Sequence, residues 1–137
     1  MPYLNVKLSF ESKPGLSPTI ARGLTDIAAE VLGKKRELTA VVVEYLAARD
    51  WFIGGSSLEG AGQPSFFLQI KITAGTNTKD EKALFVARAF AFLDQVVGGA
   101  SPVSYVVIDD VHGDAWGYAG LTQEHRYVVG KSTVPES

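Results

Sequence analysis

The chain of 137 residues contains no cysteine, which excludes disulfides, catalytic thiolates and cysteine-ligated metals. It has no uninterrupted apolar run of about 18 residues, the length typical of a transmembrane helix, and its start lacks the pattern of a signal peptide. A net charge of −2 offers no excess of positive charge for nucleic acid. We therefore expect a cytoplasmic protein with neither a nucleic-acid nor a membrane partner.

The composition favours a compact folded domain. Hydrophobic residues make up 46% of the chain and charged residues 20%, so a disordered protein is not expected. A chain of this size suits one domain, and folding hides roughly two-thirds of the surface of the unfolded chain.

The first half of the chain reads as strand, helix and strand. Apolar residues alternate with polar ones over residues 3–10, which predicts a half-buried strand. Ser17 is expected to cap a helix that Gly33 ends. Residues 38–46 are nearly all apolar, so a second strand, buried on both faces, is predicted there.

The same order recurs in the second half. Residues 65–73 alternate at period two and predict a strand. Residues 78–81 (TKDE) form a capping box at the start of a helix that the glycine pair 98–99 ends. Residues 103–109 predict the last strand.

Each half closes on a tryptophan followed by glycines, in residues 51–55 (WFIGG) and 116–120 (WGYAG). This repetition predicts one domain over residues 1–137, with pseudo-repeats 2–55 and 65–120 and an unassigned tail at 121–137. The expected fold is α+β: two tandem βαβ units form a four-stranded sheet with both helices on one face. The other face carries apolar residues and needs a partner, so an oligomer is expected.

Pro2 follows the initiator methionine, and trimming of Met1 would leave a free prolyl amine. An ordinary α-amino group at a chain terminus has a pKa of about 7.7–8.0, and burial lowers this pKa further. Such an amine suits general acid–base chemistry near neutral pH.

With these features together, the chain resembles the tautomerase superfamily. Pro2, residues 38–43 (LTAVVV) and residues 49–55 (RDWFIGG) resemble a 4-oxalocrotonate tautomerase subunit. The two tandem units are similar to the longer members typified by macrophage migration inhibitory factor. Residues 33–34 (GK) and 54–57 (GGSS) match that pattern.

The resemblance implies a homotrimer with Pro2 as the catalytic base, in a pocket between subunits that binds a small carboxylate. It implies no cofactor and no metal. Lys34 matches a lysine that meets the carboxylate or oxygen of the substrate. Four more residues match positions on the pocket wall: Ile70, Tyr105, Trp116 and Trp51.

The chain departs from the family pattern at several places. Lys13 and Val42 stand where the short tautomerases use two arginines on a dicarboxylate, and Val107 replaces a pocket asparagine. Residues 75–78 (GTNT) replace the arginine pair of relatives that hydrate haloacrylates or decarboxylate malonate semialdehyde. A dicarboxylate substrate and those two chemistries are therefore disfavoured.

Each candidate also has a simpler structural explanation. Lys34 begins a basic run at a helix C-terminus, where cations complement the helix dipole. Tyr105, Trp51 and Trp116 also suit a core or an interface. His112 and His125 lack metal-ligand spacing and are expected in solvent.

The sequence leaves open two functions of different classes. The first is an enzyme, a tautomerase that moves a proton between carbon and oxygen of an enol or 2-keto acid. The alternative is a trimeric binding or signalling module with vestigial activity. A hydratase or dehalogenase relative ranks third, because no activated water or carboxylate clamp is evident.

Overall fold

The computed structural model describes residues 1–132 and has one mixed four-stranded sheet at its centre. In chain order the elements are β1 (Tyr3–Leu8), α1 (Leu16–Leu32), β2 (Ala40–Tyr45), β3 (Phe52–Ile53), β4 (Ser56–Ser57), β5 (Phe66–Thr73), α2 (Lys79–Val96), β6 (Tyr105–Val111), β7 (Gly117–Tyr118), β8 (Leu121–Thr122) and α3 (Gln123–Ser132). None of the helices in this part of the chain is long and apolar enough to cross a membrane.

The strand order is β2-β1-β5-β6. Each half of the chain contributes a parallel pair joined through a helix, β1 with β2 and β5 with β6. The two halves meet where β1 and β5 pair antiparallel at the middle of the sheet. The predicted α+β fold of two tandem βαβ units, with both helices on one face, is confirmed.

The core lies between the sheet and the two long helices. Alternate residues of β1 and β5 are fully buried against the helices, as their period-two patterns predict. The helices meet closely at Gly23, where a β-carbon would lie 2.0 Å from the ring of Phe92. The buried side chains of the sheet and helices include Leu4, Val6, Leu8, Ile20, Leu24, Ile27, Phe66, Leu68, Ile70, Ile72, Phe85 and Leu93.

One predicted helix start is wrong and the other is confirmed. Helix α1 begins at Leu16 with Gly15 as its N-cap, and Ser17 makes no capping bond. The Ser17 hydroxyl instead shares a 2.8 Å hydrogen bond with the Tyr45 hydroxyl, which ties the helix to β2. In α2, the Thr78 side chain accepts a hydrogen bond from the Glu81 amide, and the Glu81 carboxylate accepts one from the Thr78 amide.

Strand β2 is not buried on both faces as predicted. Its residues alternate between half-buried and exposed, because β2 is an edge strand and only one of its faces lies over the helices. Apolar content alone does not distinguish a strand buried in its own chain from one covered by another chain.

Two strand ends also differ from prediction. Strand β1 ends at Leu8, two residues early, because the chain turns at the buried Ser9, whose hydroxyl accepts a hydrogen bond from the Ser65 amide. Strand β6 spans Tyr105–Val111 rather than 103–109, since the Ser104 hydroxyl bonds the Phe66 amide and the Ser101 carbonyl instead of continuing the pairing.

The repeated tryptophan-glycine closures form equivalent two-stranded hairpins. β3 pairs with β4 in the first half, and β7 pairs with β8 in the second. Only the second hairpin continues into a helix, α3, which Arg126 anchors by a hydrogen bond to the Tyr118 carbonyl and by stacking 3.9 Å from the Tyr118 ring. The predicted tail therefore contains a helix, and its last residues, 133–137, lie outside the described part.

The sheet face opposite the helices has no covering element within residues 1–132. Tyr105 on this face is 62% exposed. Further along the same face, Gln69 and Lys71 donate hydrogen bonds to Asp109 at 2.6 and 3.3 Å, and the Gln69 bond is the main cause that lowers the pKa of that carboxyl. The face thus combines apolar residues with an internally paired polar cluster.

Candidate active site

The start of β1 lies at one end of the sheet, where the second half of the chain surrounds it. Pro2 is fully buried, and its carbonyl accepts a hydrogen bond from the Ala40 amide at 3.2 Å. The antiparallel register that pairs Tyr3 with Lys71 places Ile72 across from Pro2. The proline is therefore held by strands from both halves.

The closing hairpin of the second half reaches the N-terminus. Trp116 donates a hydrogen bond from Nε1 to the Met1 carbonyl at 3.0 Å. The side-chain nitrogen Nε2 of Gln123 lies 3.5 Å from Met1 Sδ. A 2.7 Å bond from the Gln123 amide to the Trp116 carbonyl closes the hairpin and sets both side chains against the N-terminus.

The amine at the chain start has a lowered pKa. Burial is the largest cause, and the positive charges of Lys34 and Lys35 add to it. Both causes disfavour the ammonium form, so the neutral, basic amine persists to lower pH than in an ordinary N-terminus.

Lys34 lies at this end because helix α1 stops just before it. Gly33 adopts φ +67°, and the Lys34 amide bonds back to the Ala28 carbonyl, which turns the chain out of the helix. The Lys34 ammonium donates a 3.0 Å hydrogen bond to Oγ1 of Thr76, and the Thr76 hydroxyl donates to the Thr73 carbonyl at 2.6 Å.

A second bond locks the same two segments together. The Asn77 side chain donates to the Leu32 carbonyl, the end of α1, at 2.9 Å. The loop between β5 and α2 therefore fixes both the backbone before Lys34 and its side chain.

The pKa of Lys34 is lowered, chiefly by burial, while Glu81 and Asp110 act in the opposite direction. The two carboxylates favour the cationic form of the lysine. A positive charge thus stands beside an amine that favours neutrality.

A cleft of about 530 Å³ adjoins these groups. Two of its lining residues are Thr76, which bonds Lys34, and Gln123, which contacts Met1. Its lining comprises Thr73, Ala74, Gly75, Thr76, His112, Gly113, Asp114, Gln123, Glu124 and Tyr127. One side chain therefore separates the cleft from Lys34 and from Met1, and neither of these two residues lines it.

The structure brings three of the predicted site residues together, Pro2, Lys34 and Trp116. Ile70 pairs with Leu4 and is fully buried in the core, two positions from the residue that faces Pro2. Tyr105 lies at the start of β6, at the opposite end of the sheet.

Trp51 also lies at that far end, where its carbonyl closes the first hairpin by accepting from the Leu58 amide. Lys13 is exposed there, with Nζ 4.8 Å from the centre of the Phe10 ring. The roles of all six predicted site residues remain predictions.

Sequence reasoning missed Thr76 and Gln123. Thr76 bonds a lysine 42 positions away, and Gln123 contacts Met1 across 122 positions. No local pattern indicates either contact.

Together these groups provide a half-buried N-terminal amine, a cation whose charge acts on it and an aromatic side chain. This set can move a proton to and from a substrate whose carboxylate or developing oxyanion meets Lys34. Within residues 1–132, no three His, Asp or Glu side chains gather in a way that could hold a metal ion.

Residues 2–61 match the tautomerase family, described as tautomerase enzyme. No curated protein matches the chain.

Solved structures extend the likeness to nearly the whole chain. A fused 4-OT, solved as a wild-type symmetric trimer, is 20% identical with a TM-score of 0.79 and covers 90% of this chain and 98% of its own. A macrophage migration inhibitory factor-like protein from Entamoeba histolytica is 26% identical with a TM-score of 0.70, covering 88% and 97%. Pt0534, solved after inactivation by 2-oxo-3-pentynoate, is 13% identical with a TM-score of 0.79, covering 89% and 96%.

Proposed function

Because the chain belongs to the tautomerase superfamily, we propose that it is a tautomerase in which the amine of Pro2 transfers the proton. The substrate is a small enol or 2-keto acid, and no cofactor takes part. One observation carries the proposal: burial and the positive charges of Lys34 and Lys35 lower the pKa of the amine at the chain start.

Removal of Met1 makes the proline nitrogen the terminal amine. Burial of Pro2 and the positive charge of Lys34 then act on this nitrogen as they act on Met1. Removal also frees Nε1 of Trp116, which otherwise bonds the Met1 carbonyl. Gln123, whose side-chain nitrogen lies 3.5 Å from Met1 Sδ, also lines the 530 Å³ cleft.

The proposed cycle uses one base and one cation. The neutral prolyl amine takes a proton from the enol hydroxyl or from the carbon next to the carbonyl, and returns it to the other atom. Charge that develops on the substrate oxygen is stabilised by the Lys34 ammonium, held in place by Thr76. Because the same nitrogen removes and returns the proton, the amine is regenerated in each turnover.

The proposed assembly is a homotrimer. The fused 4-OT is a trimer, and the open sheet face of this chain exposes Tyr105. In a ring of subunits, Tyr105 and Trp51 at one end of a protomer can approach Pro2 of the next. Analytical ultracentrifugation tests this proposal: a monomer at micromolar concentration removes the shared pocket.

The decisive experiment blocks the amine without disturbing the core. Protein with a free Pro2 is compared with protein that retains Met1, using phenylenolpyruvate as substrate. General acid–base catalysis contributes about 10²–10⁴-fold, so we expect kcat to fall by that factor in the blocked protein. Equal activity in the two forms overturns the assignment.

Covalent labelling gives a second readout. The alkynyl ketone of 2-oxo-3-pentynoate accepts a neutral amine by conjugate addition, so the whole reagent mass is retained on the protein. Mass spectrometry of the labelled N-terminal peptide should locate the adduct on Pro2, and Met1-retained protein should stay unlabelled there.

The binding-module alternative is favoured by one observation. Trp116 and Gln123 both hold Met1, so a chain that keeps Met1 has a filled site and no prolyl amine. The N-terminal mass of protein isolated from its native source decides between the two: retained Met1 supports the binding module.

A further inference from the structure

The duplicated sheet produces a second copy of the Pro2 environment at its other end. The antiparallel pairing of β1 and β5 places Ile72 across from Pro2. Continued to the other end, through the bond from the Ser9 amide to the Ser65 carbonyl, it places Phe10 across from Pro64. Each proline precedes the first strand of its own half.

The surrounding hydrogen bonds repeat as well. The Pro2 carbonyl accepts from the Ala40 amide at 3.2 Å, and the Pro64 carbonyl accepts from the Ser101 amide at 2.7 Å. The hairpin near Pro2 is closed at the Trp116 carbonyl, and the first hairpin is closed in the same way at the Trp51 carbonyl. The two ends are therefore equivalent in backbone and differ in side chains.

The second end also contains a cleft, of about 360 Å³. Most of its side chains are small or apolar, and its one cation is Lys13, whose Nζ lies 4.8 Å from the centre of the Phe10 ring. The lining comprises Ser9, Phe10, Lys13, Ala48, Leu58, Gly60, Ala61, Gly62, Gln63, Pro64 and Val97.

We propose that this cleft is a second, non-catalytic binding site for a small monocarboxylate with an apolar body. Lys13 supplies the charge for the carboxylate, and Phe10, Leu58 and Val97 supply apolar surface. Proton transfer is absent, because the Pro64 nitrogen is bonded to the carbonyl of Gln63 in a tertiary amide and has no basic lone pair.

The cation comes from a different segment at each end. Near Pro2 it is Lys34, which follows the end of α1. The corresponding residues after α2, Gly98 and Gly99, carry no charge. At the second end the cation is Lys13, which belongs to the loop after β1.

The neighbouring charges select for a single carboxylate. Glu11 and Glu59 line an adjoining cleft, which shares Phe10 and Lys13 with the cleft at Pro64. A second carboxylate on the ligand would face these like charges, with only Arg49 to offset them. The site therefore favours monoanions over dianions.

Nuclear magnetic resonance with 3-phenylpropanoate tests the proposal in Lys34→Gln protein, where the first site is weakened. We expect saturable shifts of the backbone amides of Phe10, Leu58, Gly60 and Gln63. The neutral 3-phenylpropanamide should bind about fivefold more weakly, the upper range for an ion pair open to water. The spectra also report whether each variant is folded.

The matched variants are Lys13→Gln and Arg22→Gln, each added to Lys34→Gln. Both remove one positive charge, but Arg22 is an exposed residue of α1 outside the cleft. We expect Lys13→Gln to weaken binding about fivefold and Arg22→Gln to leave it unchanged. Absence of saturable shifts, or equal weakening by both variants, overturns the proposal.

This second site is independent of the proposed tautomerase activity. Retention of Met1 blocks the Pro2 amine but leaves the Pro64 cleft intact, so the amide shifts should persist in Met1-retained protein. Shifts that disappear on blocking the N-terminus assign the binding to the first site and overturn the proposal.

Discussion

The Lys34 ammonium donates a hydrogen bond to Oγ1 of Thr76, 3.0 Å away, across 42 positions of the chain. One residue comes from the end of α1 and the other from the loop that precedes α2. The cation of the candidate site is therefore positioned by the half of the chain to which it does not belong.

Replacing Thr76 by valine removes this acceptor while keeping the shape of the side chain. Lys34 then samples more positions, so we expect kcat/KM for phenylenolpyruvate to fall about fivefold, which corresponds to about 1 kcal/mol, the typical net contribution of one hydrogen bond. Steady-state kinetics measure the change. Thr19→Val is the matched control, since its hydroxyl bonds only the Gly15 carbonyl of its own helix. Equal effects in the two variants contradict a positioning role.

The pH profile should carry the signature of the N-terminal amine. Its lowered pKa means that the acid limb of kcat/KM falls below the ordinary value of about 8. A nearby cation disfavours the ammonium form, so Lys34→Gln should raise the pKa and move the acid limb to higher pH. Burial, the larger cause of the lowered pKa, remains in this variant, so its acid limb should still lie below a pH of about 8. If the acid limb of the pH profile does not move in Lys34→Gln protein, the charge of Lys34 does not act on the N-terminal amine.

Substrate preference tests the anion site. Lys34 is a single point charge. By the family resemblance, Val42 stands at a position where the short tautomerases carry an arginine. We expect phenylenolpyruvate to give a higher kcat/KM than the dicarboxylate 2-hydroxymuconate, and Lys34→Ala to reduce it mainly through KM. Arg22→Ala, at an exposed position of α1, is the control. Preference for the dicarboxylate means that another cation binds the substrate.

The close contact between the two long helices predicts a stability change. Alanine is normally about 1 kcal/mol better than glycine inside a helix. At Gly23, however, the new methyl group would overlap the Phe92 ring, and overpacking costs about 1–3 kcal/mol. We therefore expect Gly23→Ala to lower the free energy of unfolding, measured by urea denaturation.

Two further variants test that explanation. Gly62→Ala, at a position with open space around it, should not destabilise the protein. Combining Gly23→Ala with Phe92→Leu should cost less than the sum of the single changes, because the overlap is relieved. Strict additivity would contradict the steric cause.

The sequence predicted the features that depend on neighbours along the chain. The alternating residues of β1 and β5 and the capping box of Thr78 and Glu81 are local patterns, and all were confirmed. Ser17 was misassigned because its hydroxyl has a partner 28 positions away, Tyr45, which no local pattern indicates. Within the candidate site, the family resemblance predicted Pro2, Lys34 and Trp116, and their roles stay predictions. Thr76 required the structure.

The position of β1 has a consequence for how the chain is made. It precedes the other three strands of the sheet in the chain, yet it is an interior strand, with β2 on one side and β5 on the other. Until residues 66–73 emerge from the ribosome, one edge of β1 has no partner and its backbone can pair with another nascent chain. Slow translation across the linker at 58–65 would prolong that exposure, so misassembly during synthesis should depend on elongation speed there more than on the stability of the finished fold.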